Sequence, residues 1–156
     1  MIGLQIADIK DFTTKLFLRE TFDSFEVTEA EFVTGFRVAI DGHLTEPEKG
    51  QRYSGWSAVR PLAFQVIRGR ELPHSFHIVL RLSDANVAKT LTSLGLPYTA
   101  EDIGGLFLNL RYEHKQITAV TGCSFQTFTL DKTLEREWDQ VVRRFFRHHK
   151  IPFEEV

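Results

Sequence analysis

One order of elements is written twice into this chain, and that repetition limits what it can fold into. A short apolar run, Ile2 to Ile6, leads through Asp8 into a helical pattern and then into alternating stretches around Phe25 to Val27 and Phe36 to Ile40. From Phe76 the order returns: a strand to Leu82, a Ser83-capped helix, then alternating stretches at Leu106 to Tyr112 and Ile117 to Leu130. This layout suggests a duplicated βαββ unit, with half-repeats at 1–55 and 70–131 and a C-terminal helix over 132–150. At 156 residues the chain fits a single domain that buries roughly two-thirds of its unfolded surface.

Four helices are expected. In the last, Leu134, Trp138, Val141, Val142, Phe145 and His149 recur at three-and-four spacing and form one apolar stripe, with Asp131 as its cap and Pro152 beyond its end. A second runs from about Ala58 to Arg68, with Ser57 or Arg60 before it, Pro61 in its first turn and Gly69 past its end. A third spans Asp84 to Leu94 between Ser83 and Gly95, and a shorter one runs from Ile9 to about Leu18. Each is one-sided and needs a partner layer.

Strands supply that layer. Phe76, Ile78, Leu80 and Leu82 alternate with His77, Val79 and Arg81, the period of a half-buried strand, and Leu106, Leu108, Leu110 and Tyr112 do the same. Glu113 to Gln116 is the tight link to the strand from Ile117, read as continuing through Phe125 to Leu130. Asp41-Gly42 is a second hairpin signal, because both residues tolerate positive φ. Glu46 to Gly55 is polar and glycine-containing and is read as a mobile loop at the seam between the halves. The fold class is therefore α+β, with helices on a predominantly antiparallel sheet. The fourteen phenylalanines are read as core filler rather than a base-stacking platform.

A net charge of −2 hides a separation of signs. Glu20, Asp23, Glu26, Glu29, Glu31, Asp41, Glu46 and Glu48 are opposed only by Arg37 between residues 20 and 48, where hairpins are expected. The helices and their ends hold most of the cations: Lys10, Lys15, Arg19, Arg60, Arg68, Arg70, Lys89, Lys132, Arg136, Arg143, Arg144, Arg147 and Lys150. Within the last helix, acids early and bases late are also what the helix dipole favours. Several arginines on one surface are equally how proteins track a phosphate backbone without reading sequence. Arg60, Arg68, Arg136, Arg143, Arg144, Arg147 and Lys150 are the candidate polyanion contacts.

No catalytic or metal signature accompanies them, and no cofactor motif is visible. His74 and His77 sit around a strand entry at a spacing that points them to opposite faces. His148 and His149, with Glu154 and Glu155 beyond, diverge by about 100° on a helix and read as a helix-end pair rather than a metal site. Cys123 lies mid-strand, with no helix N-terminus after it to activate the thiol, and reads as a buried small side chain. Gly104-Gly105 precedes a strand and cannot cradle a nucleotide phosphate. As the only cysteine, Cys123 also excludes an intramolecular disulfide. No run approaches the roughly 20 apolar residues of a membrane span, and the N-terminal residues lack a secretory pattern, so a cytoplasmic location without membrane contact is expected.

The phrases KLFLRETFDSF, LPHSFHIVLRLS, GLFLNLRYE and TFTLDKTLEREWD resemble an uncharacterised bacterial family, common in anaerobic Firmicutes, whose domain has no known function. FRVAIDGHL followed by a helix is similar to the strand, Asp-Gly-His turn and strand of DNA sliding-clamp subunits. That second resemblance implies helices lining a ring with basic side chains toward DNA, sheets outside, and assembly into a homo-oligomer. The expectation is a binding module for a polyanion, nucleic acid without base specificity. The alternatives are a protein-interaction adaptor using a strand edge or the acidic hairpin, and a small hydrolase or metal-dependent enzyme using His74, His77 or Cys123.

Overall fold

The computed structural model describes residues 1–48, 51–69 and 73–156, without the side chain of Glu48. Arg70 of the basic set and Lys49-Gly50 of the polar segment lie outside the described residues. The chain runs β1 (Gly3–Ile6), α1 (Ile9–Phe17), β2 (Phe25–Val33), β3 (Arg37–Asp41), β4 (His43–Glu48), β5 (Gln51–Gly55), α2 (Trp56–Ile67), β6 (Ser75–Leu82), α3 (Asp84–Leu94), β7 (Ile103–Glu113), β8 (Gln116–Phe125), α4 (Thr133–His148) and β9 (Phe153–Glu155). These are the four helices and the α+β class read from the sequence. Every described strand pair is antiparallel, in the order β4-β5-β2-β6-β7-β8-β1-β9, with β3 also on β2.

The strand-helix-strand-strand order does recur, as β1-α1-β2-β3 and β6-α3-β7-β8. Pairing differs between the two. β6 lies beside β7, whereas β1 pairs with β8 and β9 and does not touch the ladder of β2.

Alternation sorts the sheet into two faces. Leu4, Ile6, Ala30, Phe32, Phe76, Ile78, Leu80, Leu106, Leu108, Leu110, Ile117 and Ala119 are buried toward the helices. Glu29, Ala39, Asp41 and Arg111 are exposed on the other side. The helices close on the inner face through aromatic contacts: Phe12 of α1 meets Phe146 of α4 edge-on at 6.2 Å, and Phe17 meets Phe32, Trp56 and Phe76. All phenylalanines except Phe36 and Phe128 are buried or half-buried, as core filler requires.

Local signals explain most boundaries. Asp8 caps α1 by accepting the Asp11 amide; Ser83 caps α3 by accepting that of Asn86, and Gly95 ends α3 in the left-handed region at φ 66°. His114 and Lys115 both take positive φ, 51° and 61°, the two-residue turn whose twist suits the β7–β8 hairpin.

Four expectations are corrected. Asp41-Gly42 is not a hairpin tip: β2 turns into β3 at Thr34 to Phe36, while Gly42 is a corner whose N–H donates to Thr28 O and whose carbonyl accepts from Ser54 N. A Cβ there would lie 1.8 Å from the Val27 carbonyl oxygen, so glycine is required by close approach. The polar segment expected as a mobile loop is instead largely β4 and β5. β8 ends at Phe125 rather than Leu130. Helix α2 starts two residues early, at Trp56, whose indole N–H donates to Leu16 O at 2.9 Å; Pro61 therefore falls in the second turn and Gly55 is the cap.

Candidate polyanion interface

Helix α4 has a fixed inner side. Leu134, Trp138, Val142 and Phe146 are buried, and Phe146 belongs to the stripe although the sequence spacing passed over it. Trp138 donates its indole N–H to Phe107 O at 3.0 Å. Asp139 is buried and accepts from the Thr121 hydroxyl at 2.5 Å and from the Met1 amine at 3.1 Å. Asp131 is not the formal cap, which is Lys132, but one Asp131 oxygen accepts both the amide and the hydroxyl of Thr133, and the other accepts from Tyr98 OH. Those bonds, from the Thr133 hydroxyl first and then Tyr98, pull the Asp131 carboxyl down to about 2.

With the inner side pinned, the 100° step sets the outer one: positions 136, 140, 143, 144 and 147 form the opposite stripe. Arg136, Arg144 and Arg147 are exposed on it. Among the described residues none of the three has a carboxylate within 4.0 Å; the Arg147 guanidinium lies over the Phe153 ring at 5.7 Å. Lys150 is exposed just past the helix in the left-handed region, φ 56°, and its carbonyl accepts from Lys15 Nζ at 3.0 Å, which brings the ends of α1 and α4 together.

The other predicted contacts are placed differently. Arg60 makes a two-pronged ion pair with Asp23, 2.9 and 3.2 Å, that ties α2 to the α1–β2 connection. Arg143 gives its Nε to the Glu155 carboxylate on β9. Arg68 is exposed at the end of α2 beside the Thr34 to Phe36 turn, away from the α4 stripe. The helical layer is not purely cationic: Lys15 pairs with Asp11, and Lys132 with Glu135. On the open sheet face Glu29 and Asp41 are register partners and Glu31 pairs with Arg37, but Arg111 stands in the same layer.

The model of a family of unknown function, DUF5721, matches residues 15–154, from within α1 to β9. The chain belongs to DUF5721. Neither a curated protein nor a solved structure matches it. Membership brings no reaction with it, so the chemistry of this DUF5721 chain rests on its own side chains.

The residues considered for catalysis are not brought together. His74 is exposed outside β6, while His77 is half-buried in the open face at the floor of a cavity of about 490 Å³, in the cross-strand row Glu31, His77, Arg111. Burial holds His77 below its ordinary pKa, with Arg111 adding to the effect and Glu29 and Glu31 opposing it. Burial likewise pushes the Cys123 thiol to about 11, helped by Glu135, so it stays protonated rather than nucleophilic. His148 and His149 pack ring against ring at 4.9 Å, and the expected companion Glu155 is engaged by Arg143. Among the described residues no group of three His, Cys, Asp or Glu could hold a metal ion.

Sequence reasoning missed two features of this region. Strand β9 was not expected, and Glu155 was weighed only as a metal ligand. The alternation of Phe153 and Glu155 after the Pro152 stop was the available signal. Arg81 was also passed over. It is 3% exposed, meets Glu26 at 3.3 Å and Asp84 at 2.8 Å, donates to Gly104 O, and lies over the Tyr53 ring at 5.5 Å.

Proposed function

We propose that this chain is a non-enzymatic binding module whose α4 stripe contacts a polyanion, nucleic acid without base specificity. The observation that carries this is the row of exposed guanidiniums at Arg136, Arg144 and Arg147, none with a carboxylate within 4.0 Å among the described residues, extended by Lys150. From 136 to 147 the helix rises about 16 Å, long enough to follow several phosphates. A rigid, well-packed helix spares the backbone share of the ordering cost on binding, leaving that of the side chains. Arg60 and Arg143 are already neutralised by Asp23 and Glu155, and Arg68 lies apart, so these three are secondary in the proposal. It sets the protein in the cytoplasm, where nucleic acid and a free thiol such as Cys123 coexist. Among the described residues no helix is long and apolar enough to cross a membrane.

The test is fluorescence anisotropy of a labelled duplex at low salt. Wild type is expected to bind duplexes of unrelated sequence alike, and Arg144→Glu with Arg147→Glu to lose most of that affinity. Equal binding by both proteins, or none by either, would refute the reading.

A second reading, a protein partner or a homo-oligomer, draws on Phe36 and Leu62, 69% and 56% exposed, beside half-buried Val66 and Ile67. Light scattering separates that from a solitary monomer.

A further inference from the structure

Strand β9 is three residues long and is paired on one side only, to β1, with Leu4 opposite Glu155, Gln5 opposite Glu154 and Ile6 opposite Phe153. Leu4 and Ile6 face the helices, so the pleat turns Phe153 and Glu155 toward α4 and Glu154 toward the open face. Phe153 accordingly packs on Phe146 at 5.8 Å and lies beneath the Arg147 guanidinium. Glu155 meets Arg143, which among the described residues is the one arginine of the α4 stripe paired with a carboxylate.

That pairing is incomplete. Among the described residues only Nε of Arg143 is engaged, leaving the terminal nitrogens of the guanidinium without an acceptor there. An arginine presents five donors in a planar fork suited to a tetrahedral oxyanion, of which one is used here. The Arg143 side chain is 18% exposed and the Glu155 side chain 49%, so an incoming anion reaches the pair from solvent. Arg147, one turn further along the stripe and lying over Phe153, flanks that approach with positive charge.

We infer that Arg143 is a phosphate subsite which Glu155 occupies in the free protein, making β9 a built-in competitor for the polyanion. The inference rests on the polyanion reading and adds a regulatory element to it: a phosphate takes Arg143 only by displacing a carboxylate that belongs to the same chain. Glu154, of equal charge and one residue away, faces the other side of the sheet and does not compete.

The experiment measures duplex affinity at low salt for wild type, Glu155→Gln, Glu154→Gln, Arg143→Gln and the pair Glu155→Gln with Arg143→Gln, each checked by thermal melting. Glu155→Gln is expected to bind about two- to fivefold tighter, the range that a partly exposed ion pair commands. Glu154→Gln should match wild type, and Glu155→Gln should gain nothing once Arg143 is gone. Equal gains from Glu154→Gln and Glu155→Gln would mean that only net charge matters and would overturn the subsite, as would no gain at Glu155, while loss in the Arg144, Arg147 double variant would leave the polyanion reading standing. Absence of binding by wild type and by every variant would overturn both readings.

Discussion

The buried guanidinium of Arg81 shows how a single side chain closes one end of this molecule. It is covered by Tyr53 of β5 and by Gly105 of β7, where a Cβ would come within 3.0 Å of Arg81 Nε. Burial raises the Glu26 carboxyl, and Arg81 acts against that rise. Removing the cation leaves Glu26 buried without its partner. Arg81→Ala is therefore expected to cost about 3–5 kcal/mol, the range for breaking a buried ion pair, read from the urea midpoint. In the sequence Arg81 occupies a polar slot of an alternating strand and reads as solvent-facing. Its partner Glu26 is 55 residues away and its cover lies on a hairpin that looks like a loop. Nothing local in the sequence brings the three together. By contrast, the raised thiol of Cys123 follows from its mid-strand place, where burial is the largest influence on its pKa and Glu135 adds to it, although the side chain is half-buried rather than fully buried as expected.

Elements whose ends carry their own chemistry were the readable ones. Helix α3 runs between Ser83 and Gly95 as expected, because hydroxyl cap and left-handed glycine act within one turn. The β7–β8 turn was readable from the alternating strands on either side of it, although His114 and Lys115 stand where glycine or asparagine is usual. Gly42 misled because a glycine needed for close approach looks the same in sequence as one needed for positive φ, and only the pairing of β3 with β2 and of Gly42 with Thr28 and Ser54 separates them. Helix α4 ends without a glycine: Lys150 takes the left-handed position while Ile151 N donates back to Phe146 O. Lys150→Gly should thus stabilise the fold by about 1 kcal/mol, the penalty a side chain pays in that region, while weakening polyanion binding. A thermal melt that fails to rise would show that glycine's greater freedom in the unfolded chain offsets the relief. The basic stripe itself was legible as a set, since residues 136, 143, 144 and 147 share a face in any α-helix. The neutralisation of Arg143 was not, because it depends on a strand formed by sheet pairing with β1.

At the scale of the whole molecule, helices cover one face of an antiparallel sheet and leave the other to solvent, with cations concentrated on α4 and acids around β2 and β3. The half-buried rings of His77 and His149 are both held below their ordinary value of 6.5 mainly by burial. The unfolded chain therefore takes up protons first as pH falls, so stability present above about pH 6.5 is lost toward pH 5. His77→Gln should flatten that decline in urea melts between pH 7 and 5; an unchanged slope would assign it to other groups. The α4 stripe carries the functional claim, and its most direct test is the salt dependence of duplex binding by the wild-type protein. With Arg136, Arg144, Arg147 and Lys150 each neutralising a phosphate, log K is predicted to fall with log salt at a slope of about −3 to −4, independent of duplex sequence. A slope near zero, or no binding at low salt, would contradict the account.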